Sequence, residues 1–366
     1  MSSKPATRGH ARRTASHKSV NLALQGGGAH GAFTWGVLDR FFEDDRIWIE
    51  AISGTSAGAM NAVVAAHGMH ENGAEGARQR LAEFWRAVSE SARTSPIQRS
   101  IWARMTGSWS LDGSLGYLWS TLFQRMASPY EVNPFQINPL RDLVDSMVDF
   151  DRVRKVTGMG IFISATNVET GRVRVFERDD ITLDAVMASA CLPYLFHSVE
   201  IDGVPYWDGG FMGNPPLFPF FHHSPCSDIM IVQINPILRE GTPRTAAEIQ
   251  NRINEITFNS SLLHELRSID FVGRLIEAGK LDETEYRKMN LHIVHARKQL
   301  RKLDASSKLN AEWEFLEHLF KIGRETASRW IDAHFDDIGV RSSVDIREMF
   351  QGVGKLPDGL DMKRSG

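Results

Sequence analysis

The stretch Gly54-Thr55-Ser56-Ala57-Gly58 decides the fold, because apolar residues precede it at 50–53 and small apolar residues continue over 57–66. We therefore expect a short buried strand, a tight turn and a buried helix, in that order. Such a turn needs residues without Cβ where backbones crowd. A serine between two such glycines, at a strand-to-helix turn, is typical of an exposed nucleophile beside the free N–H groups of a helix start. Taken alone, the pentapeptide is also compatible with a chance match in a loop of small residues.

Two further glycine-rich segments accompany this turn. Gln25-Gly26-Gly27-Gly28-Ala29-His30-Gly31 follows the strand-like residues 20–24 and precedes a helical pattern over 32–42. Consecutive glycines at the end of a strand bring backbone N–H groups towards an anion. Trp207-Asp208-Gly209-Gly210 follows residues 204–206, and we expect it to form a loop that holds a carboxylate close to another loop.

Together the three segments resemble the patatin-like phospholipase family, whose pattern is a glycine-rich oxyanion loop, a Gly-x-Ser-x-Gly turn and an Asp-Gly-Gly/Ala motif, in this order. The resemblance covers about residues 19–235, and residues 236–300 resemble the C-terminal extension of a bacterial branch of the family. It implies that Ser56 is the nucleophile and Asp208 its base, with no histidine between them. The oxyanion hole that it implies consists of Gly26, Gly27, Gly28 and Ala57, and the supporting motif residues are His30, Gly31, Gly54, Gly58, Gly209 and Gly210.

One residue departs from the family pattern. Many members carry Arg or Lys where this chain has His30, which leaves open any role of that side chain in positioning phosphate. Backbone N–H groups would make the oxyanion contacts, so the departure does not exclude activity.

The activity that the resemblance implies is hydrolysis of fatty-acyl esters of phospholipids or lysophospholipids through an acyl-enzyme. A serine hydroxyl needs a neighbouring base, and a carboxylate is a weak base at neutral pH unless burial raises its pKa. We therefore expect Asp208 to be buried. An acyltransferase or thioesterase would use the same acyl-enzyme, and a non-catalytic lipid-binding scaffold would keep only the fold. The presence of Ser56, Asp208 and the glycine loop favours an enzyme.

Two other sites compete with this interpretation. Gly26, Gly28 and Gly31 also satisfy the dinucleotide-binding pattern G-x-G-x-x-G, but Glu50 begins the second strand instead of ending it, which argues against a nucleotide. A Ser-Asp-His triad remains open, because several histidines follow Ser56 in the chain. The candidates are His197, His222, His223, His264, His292 and His295, of which His295 is the first to test.

Composition is typical of a cytoplasmic enzyme without a metal or another cofactor. The chain has 366 residues, 42% of them hydrophobic, and a net charge of −3, so nothing points to nucleic acid. Cys191 and Cys226 are the only cysteines, which favours reduced thiols over a disulfide framework, and no Cys/His cluster has metal-site spacing. The sequence contains no run of 18 apolar residues. Peripheral contact at the inner face of a membrane and homo-oligomer formation are both left open.

The alternation of strand and helix patterns predicts an α/β fold, a mostly parallel sheet flanked by helices on both faces. Such a three-layer sandwich is also what the patatin-like resemblance implies. Strands are predicted at 20–25, 50–53, 158–166, 172–177, 198–202, 229–234 and 290–296. Helices are predicted at 31–44, 57–69, 74–92, 138–147, 182–190, 245–278 and 308–333. Because ligands bind beyond the carboxyl ends of parallel strands, the glycine loop and Ser56 are expected at one rim.

We divide the chain into a basic, disordered tail at 1–18, a catalytic domain at 19–235, a mainly helical extension at 236–351 and a mobile tail at 352–366. Aromatic residues mixed with glycines over 96–135 interrupt the alternation. They predict either a lid with an interfacial surface or ordinary core filling, and the sequence does not separate the two.

Overall fold

The computed structural model describes residues 17–94, 98–100, 103, 105–112, 114, 127–282 and 284–351. Within these residues eight strands form one sheet. In chain order they are β1 (Lys18–Leu24), β2 (Ile47–Gly54), β3 (Gly160–Asn167), β4 (Val173–Glu177), β5 (Val199–Ile201), β6 (Val204–Asp208), β7 (Asp228–Gln233) and β8 (Asn290–His295).

The sheet is parallel at its centre and antiparallel at one side. Its order is β5-β6-β3-β2-β1-β7-β8, and β4 pairs with β3 beside this path. The strands β3, β2, β1, β7 and β8 run parallel to their neighbours, whereas β4 and β6 pair antiparallel with β3, and β5 with β6. The carboxyl ends of β1 and β2 therefore lie side by side, with Leu24 opposite Gly54, and bring the glycine loop next to Ser56.

The helices of the described residues lie between these strands in the chain and after the last of them. They are α1 (Gly31–Glu43), α2 (Ala57–Ser91), α3 (Pro129–Val132), α4 (Pro139–Met147), α5 (Phe150–Arg154), α6 (Leu183–Ser189), α7 (Pro219–His223), α8 (Ala246–Glu277), α9 (Arg297–Leu300), α10 (Trp313–His334) and α11 (Ile346–Gln351).

Alternate residues of the central strands enter two separate cores, one on each face of the sheet. In β1, Leu22 and Leu24 pack with α1, α2 and α10, while Ala23 enters the core that contains Leu262 and Leu266 of α8. Since successive side chains of a strand point to opposite faces, this division places helices on both sides. The predicted α/β fold with a three-layer, patatin-like arrangement is confirmed.

The seven predicted strands correspond to observed ones, but β6 was not predicted. Pro205 lies in β6, and a proline within a short apolar run argues against a central strand. The strand forms because Pro205 lies opposite Glu200 of the edge strand β5 and its carbonyl oxygen accepts the N–H of Val168, while Asp208 pairs with Ala165 of β3. The prediction that Trp207 and Asp208 lie in a loop is therefore wrong, because both belong to β6.

Helix boundaries deviate in two places. The helices predicted at 57–69 and 74–92 are one element, α2, with non-helical backbone angles at Asn72 and Gly73. The helix predicted to start at 308 begins at Trp313, and residues 306–309 form a separate 3₁₀ turn.

Parts of three sequence predictions fall on residues that are not described. The tail at 1–18 lies outside them except for its last two residues, where Lys18 already belongs to β1, and the tail at 352–366 lies outside them entirely. Of the aromatic segment at 96–135, the described Trp109 packs against Phe315 and His318, which is core filling. Among the described residues no helix is both long and apolar enough to cross a membrane.

Candidate active site

Ser56 occupies a strained turn between β2 and α2. Its backbone angles are φ 54° and ψ −119°, a region that a residue with a side chain rarely adopts. This is the geometry expected of a nucleophile turn, because it lifts the hydroxyl out of the strand-to-helix path. Ser56 is half-buried, and its N–H donates a 2.9 Å hydrogen bond to Oγ of Ser189 at the end of α6.

Close backbone contacts explain the two glycines of the turn. A Cβ on Gly58 would overlap the carbonyl oxygen of Leu24 at the end of β1. A Cβ on Gly54 would lie 2.5 Å from the carbonyl oxygen of Gly58. The first turn of α2 can therefore lie directly against two strand ends only where both residues lack a side chain.

Hydroxyl groups fasten this turn to the rest of the sheet. Thr55 Oγ1 lies 2.6 Å from Oγ of Ser164 in β3 and donates to the carbonyl oxygen of Gly213 at 2.7 Å. Thr166 Oγ1 donates to the backbone oxygen of Asp208 at 2.8 Å. The strand that carries Asp208 and the turn that carries Ser56 are thus held to the same strand, β3.

Asp208 lies at the end of β6 with 1% of its surface exposed. Its Oδ1 accepts a 2.7 Å hydrogen bond from the N–H of Gly210. Burial raises the pKa of Asp208 to about 6, although the Gly210 N–H, the nearby Ser56 side chain and the charge of Lys308 oppose the shift. The expectation that this carboxylate is buried is confirmed.

The motif glycines next to Asp208 are tightly enclosed. A Cβ on Gly209 would overlap the carbonyl oxygen of Ser164, and one on Gly210 would overlap the ring of Phe258 in α8. The turn after Asp208 is therefore packed between β3 and the C-terminal part of the chain.

The glycine loop offers fewer oxyanion donors than predicted. The N–H of Gly26 already donates to Oδ1 of Asn214 at 2.7 Å, so we correct the assignment of Gly26 to the oxyanion hole. Within the described residues, the N–H groups of Gly27, Gly28 and Ala57 have no hydrogen-bond acceptor. These three remain the candidate donors. Gly31 packs against Ala57, which brings the start of α1 close to the start of α2.

His30 is buried and held as a neutral imidazole. Its Nε2 lies 2.8 Å from Oγ of Ser307, and its ring packs edge-on against Phe315. Burial lowers the pKa of His30 to about 3, and the nearby Lys308 lowers it further. This side chain therefore supplies no positive charge at neutral pH.

The histidines that a triad would require have other partners or surroundings. His292 contacts Asp228 and Ser343, His197 contacts the carbonyl oxygen of Pro129, and His223 approaches Glu177. His295, whose pKa is lowered by burial, ends β8, two strands away from β1. His222 and His264 are exposed. Among the described hydrogen bonds, the carboxylate of Asp208 has no histidine partner.

The nucleotide and metal sites find no geometric support. Glu50 lies in the middle of β2, four residues before its end, and not at the rim that holds the glycine loop. Within the described residues no group of three His, Cys, Asp or Glu side chains is placed to hold a metal ion. Both cysteines are free and buried, and burial raises the pKa of the Cys191 thiol to about 12 and that of Cys226 to about 11.

Three residues at this site were not assigned a role from the sequence. Ser189 holds the N–H of Ser56, Asn214 holds the N–H of Gly26, and Lys308 lies near Asp208. Ser189 and Asn214 hydrogen-bond to loops that are far away in the chain. A local sequence pattern does not show that a hydroxyl or amide side chain has such a distant partner. Lys308 was placed inside a predicted helix, where a lysine is ordinary.

Comparison with known proteins gives distant structural matches and one family. VipD from Legionella pneumophila is 14% identical with a TM-score of 0.40, over 87% of this chain and 67% of that chain. The type III effector protein ExoU is 15% identical with a TM-score of 0.34, over 89% of this chain and 54% of that one. No curated protein matches.

The family is established by sequence. The family model described as patatin-like phospholipase matches residues 22–221, which is more than half of the chain and spans the glycine loop, Ser56 and Asp208. The chain belongs to the patatin-like phospholipase family.

Proposed function

We propose that this protein is a serine acyl hydrolase that cleaves fatty-acyl esters of phospholipids or lysophospholipids through a Ser56–Asp208 dyad. The observation that carries the proposal is the proximity of the Ser56 side chain, in its strained turn, to the buried carboxylate of Asp208, whose pKa is raised to about 6. Such a carboxylate is ionised at neutral pH and is a stronger base than an ordinary aspartate.

In the proposed reaction, Ser56 Oγ attacks the ester carbonyl carbon while its proton passes to Asp208. The carbon–oxygen bond to the alcohol then breaks, and the leaving oxygen takes the proton from Asp208. Water attacks the resulting acyl-enzyme, gives a proton to Asp208, and releases the fatty acid as Ser56 recovers its proton. The N–H groups of Gly27, Gly28 and Ala57 are suited to stabilise the oxyanion of both steps, where loss of one donor typically costs about 10²–10³ in rate.

A membrane surface is the partner that we propose for substrate access. Beside Cys191, whose carbonyl oxygen accepts the N–H of Asp208, lies a cavity of about 390 Å³. The segment over 129–138 borders it, because Tyr130 stacks on His197 with ring centroids 4.0 Å apart. Large apolar side chains that neighbour the lining residues in sequence are exposed, namely Tyr130, Val132, Phe135, Ile137 and Tyr194. Exposed aromatic and aliphatic groups on a protein surface favour contact with lipid.

We also propose a cytoplasmic location, since both cysteines are free and buried thiols. Reduced thiols are the rule in the cytosol.

The test is release of fatty acid from phospholipid and lysophospholipid vesicles. We expect Ser56→Ala to abolish release, and Asp208→Asn to lower kcat by about 10²–10⁴, the usual contribution of a general base. Exposed Ser146→Ala and Asp179→Asn are matched controls that should leave the rate unchanged. Circular dichroism checks that each variant is folded. A folded Asp208→Asn variant with the wild-type rate would exclude the dyad. A folded His295→Ala variant without activity would favour a triad.

A further inference from the structure

Lys308 lies where the C-terminal part of the chain meets the glycine loop. It belongs to the 3₁₀ turn Ser306–Leu309, which precedes α10. A Cβ on Gly28, whose φ is +58°, would overlap the carbonyl oxygen of Lys308. The turn that carries Lys308 is therefore in direct backbone contact with the loop that is to hold the oxyanion.

The side chain of Lys308 joins the two motifs of the site. On one side, Nζ donates a 2.8 Å hydrogen bond to Oδ1 of Asn235, and Asn235 Nδ2 in turn donates to the carbonyl oxygen of Gly26 at 2.7 Å. On the other side, Nζ lies 5.6 Å from the ring centroid of Phe258, the residue that packs on Gly210. An ammonium group fixed by an amide oxygen and an aromatic ring has a defined position.

Two carboxylates attract the ammonium group of Lys308, first Glu255 and then Asp208, and Arg239 repels it. The carboxylate of Glu255 is already hydrogen-bonded by Arg239 at 3.1 Å and by Arg252 at 3.2 Å. His30 is neutral, as described above. The thiol of Cys191, which faces Asp208, is neutral as well, because its pKa is about 12. Asp304, which lines the same cavity as Lys308, accepts hydrogen bonds from Ser306 and Ser307.

We propose that Lys308 is a positioning residue of the dyad, whose cation keeps the buried Asp208 in its ionised, proton-accepting form. The inference rests on the proposed function of Ser56 and Asp208. Lys308 does not contact the reacting atoms and acts through Asp208. The C-terminal part of the chain thereby contributes to the chemistry and not only to packing.

The order of the two titrations is consistent with this role. Burial lowers the pKa of Lys308 to about 8, and that of Asp208 is about 6, so Lys308 is still charged when Asp208 loses its proton. The charge of Lys308 lowers the pKa of Asp208, although it does so less than the Gly210 N–H and the Ser56 side chain do. Removing the charge of Lys308 should therefore move the titration of Asp208 to higher pH.

The experiment is the rate of covalent labelling of Ser56 by a fluorophosphonate between pH 5 and pH 9. In this step the Ser56 oxygen–phosphorus bond forms, the phosphorus–fluorine bond breaks, fluoride leaves, and Asp208 accepts the serine proton. The variants are Lys308→Met, which removes the charge at similar length, and Lys308→Arg, which retains it. Lys321→Met is the matched control, because Lys321 is exposed on α10 and pairs with Glu317.

We expect a wild-type acidic limb near pH 6, and a limb about one unit higher in Lys308→Met, which makes labelling at pH 6 about fivefold slower. The rates should converge above pH 8, and Lys308→Arg and Lys321→Met should keep the wild-type limb.

A folded Lys308→Met variant with the wild-type limb would overturn the inference, and so would an equal loss at every pH, which indicates structural damage. If Lys308→Met does not fold, Lys308→Gln, which retains a donor for Asn235, is judged by the same shift. Absence of labelling in the wild type would overturn the proposed function, and the inference with it.

Discussion

Asp208 combines a charge with nearly complete burial, and this has a cost in stability. Its folded-state pKa of about 6 lies above the ordinary value of 3.8. A carboxyl group with a raised pKa contributes stability that is fully present below its unfolded pKa and is lost as the pH rises through about 6. At neutral pH the ionised carboxylate therefore destabilises the fold that carries it.

Replacing Asp208 with asparagine should remove this cost while the bond from Gly210 is kept. We expect Asp208→Asn to be more stable than the wild type at pH 8 by up to about 3 kcal/mol, the value of a two-unit pKa shift, and to lose this advantage at pH 4. Urea unfolding of both proteins at the two pH values measures the difference. A difference between the proteins that does not change with pH would contradict the raised pKa.

The same titration sets the activity profile. Since the proposed base must be ionised, hydrolysis should fall as the pH drops through about 6, with kcat/KM reduced about tenfold at pH 5. The measurement is kcat/KM for a soluble ester between pH 4.5 and pH 8. A limb near pH 4 would show that Asp208 titrates as an ordinary carboxyl group.

The residues of this site were predictable to different extents from the sequence. Ser56 lies within a local pattern of strand, turn and helix, which a sequence displays directly. Asp208 was found by its glycines, but its strand was hidden by Pro205, because the pairing that permits this proline is set by the edge position of β5. Lys308 was not found, because its contacts with Gly28, Asn235 and Phe258 join segments that are far apart in the chain.

At the scale of elements, the site depends on the close approach of α2 to β1. Gly58→Ala would place a Cβ against the carbonyl oxygen of Leu24, where neither backbone can move without disturbing the sheet. We expect a loss of about 1–3 kcal/mol in the free energy of unfolding, the usual cost of overpacking, and a fall in activity as Ser56 shifts. Thermal or urea unfolding and fatty-acid release measure the two effects.

The control for this prediction is Gly273→Ala in α8. A Cβ there meets no atom within 4 Å, and alanine is the better helix former by about 1 kcal/mol, so stability should rise or stay constant. If both alanine variants behave alike, the contact between α2 and β1 is not what requires Gly58.

The pattern of strands and helices predicted the layers of the fold better than the contacts between its connecting segments. The alternation of strand and helix patterns predicts helices on both faces of the sheet, and a core is present on each face. The last two residues of the 3₁₀ turn at 306–309 were assigned to the helix predicted at 308–333, because the sequence gives no break before Trp313. The position of this turn against Gly28 is decided by tertiary contacts, which a local pattern does not contain.

At the scale of the whole molecule, the exposed apolar side chains of the segment beside the cavity at Cys191 predict how the protein meets a lipid surface. Phe135 is 86% exposed and Ile137 is 66% exposed, and both lie in the segment that borders this cavity. Burial of such side chains in lipid is worth about 1.5–3 kcal/mol each relative to water. The double variant Phe135→Ser/Ile137→Ser should therefore bind phospholipid vesicles at least about tenfold more weakly, since tenfold corresponds to 1.4 kcal/mol.

Vesicle co-sedimentation and fatty-acid release from vesicles check this prediction, beside hydrolysis of a short-chain ester that is soluble as a monomer. Release from vesicles should fall with binding, and hydrolysis of the soluble ester should stay unchanged, because neither residue contacts Ser56 or Asp208 among the described hydrogen bonds. Val340→Ser is the matched control, since Val340 is 72% exposed but follows α10, outside the border of the cavity. Equal losses on vesicles and on the soluble ester would mean that the segment over 129–138 shapes the active site and does not contact the membrane.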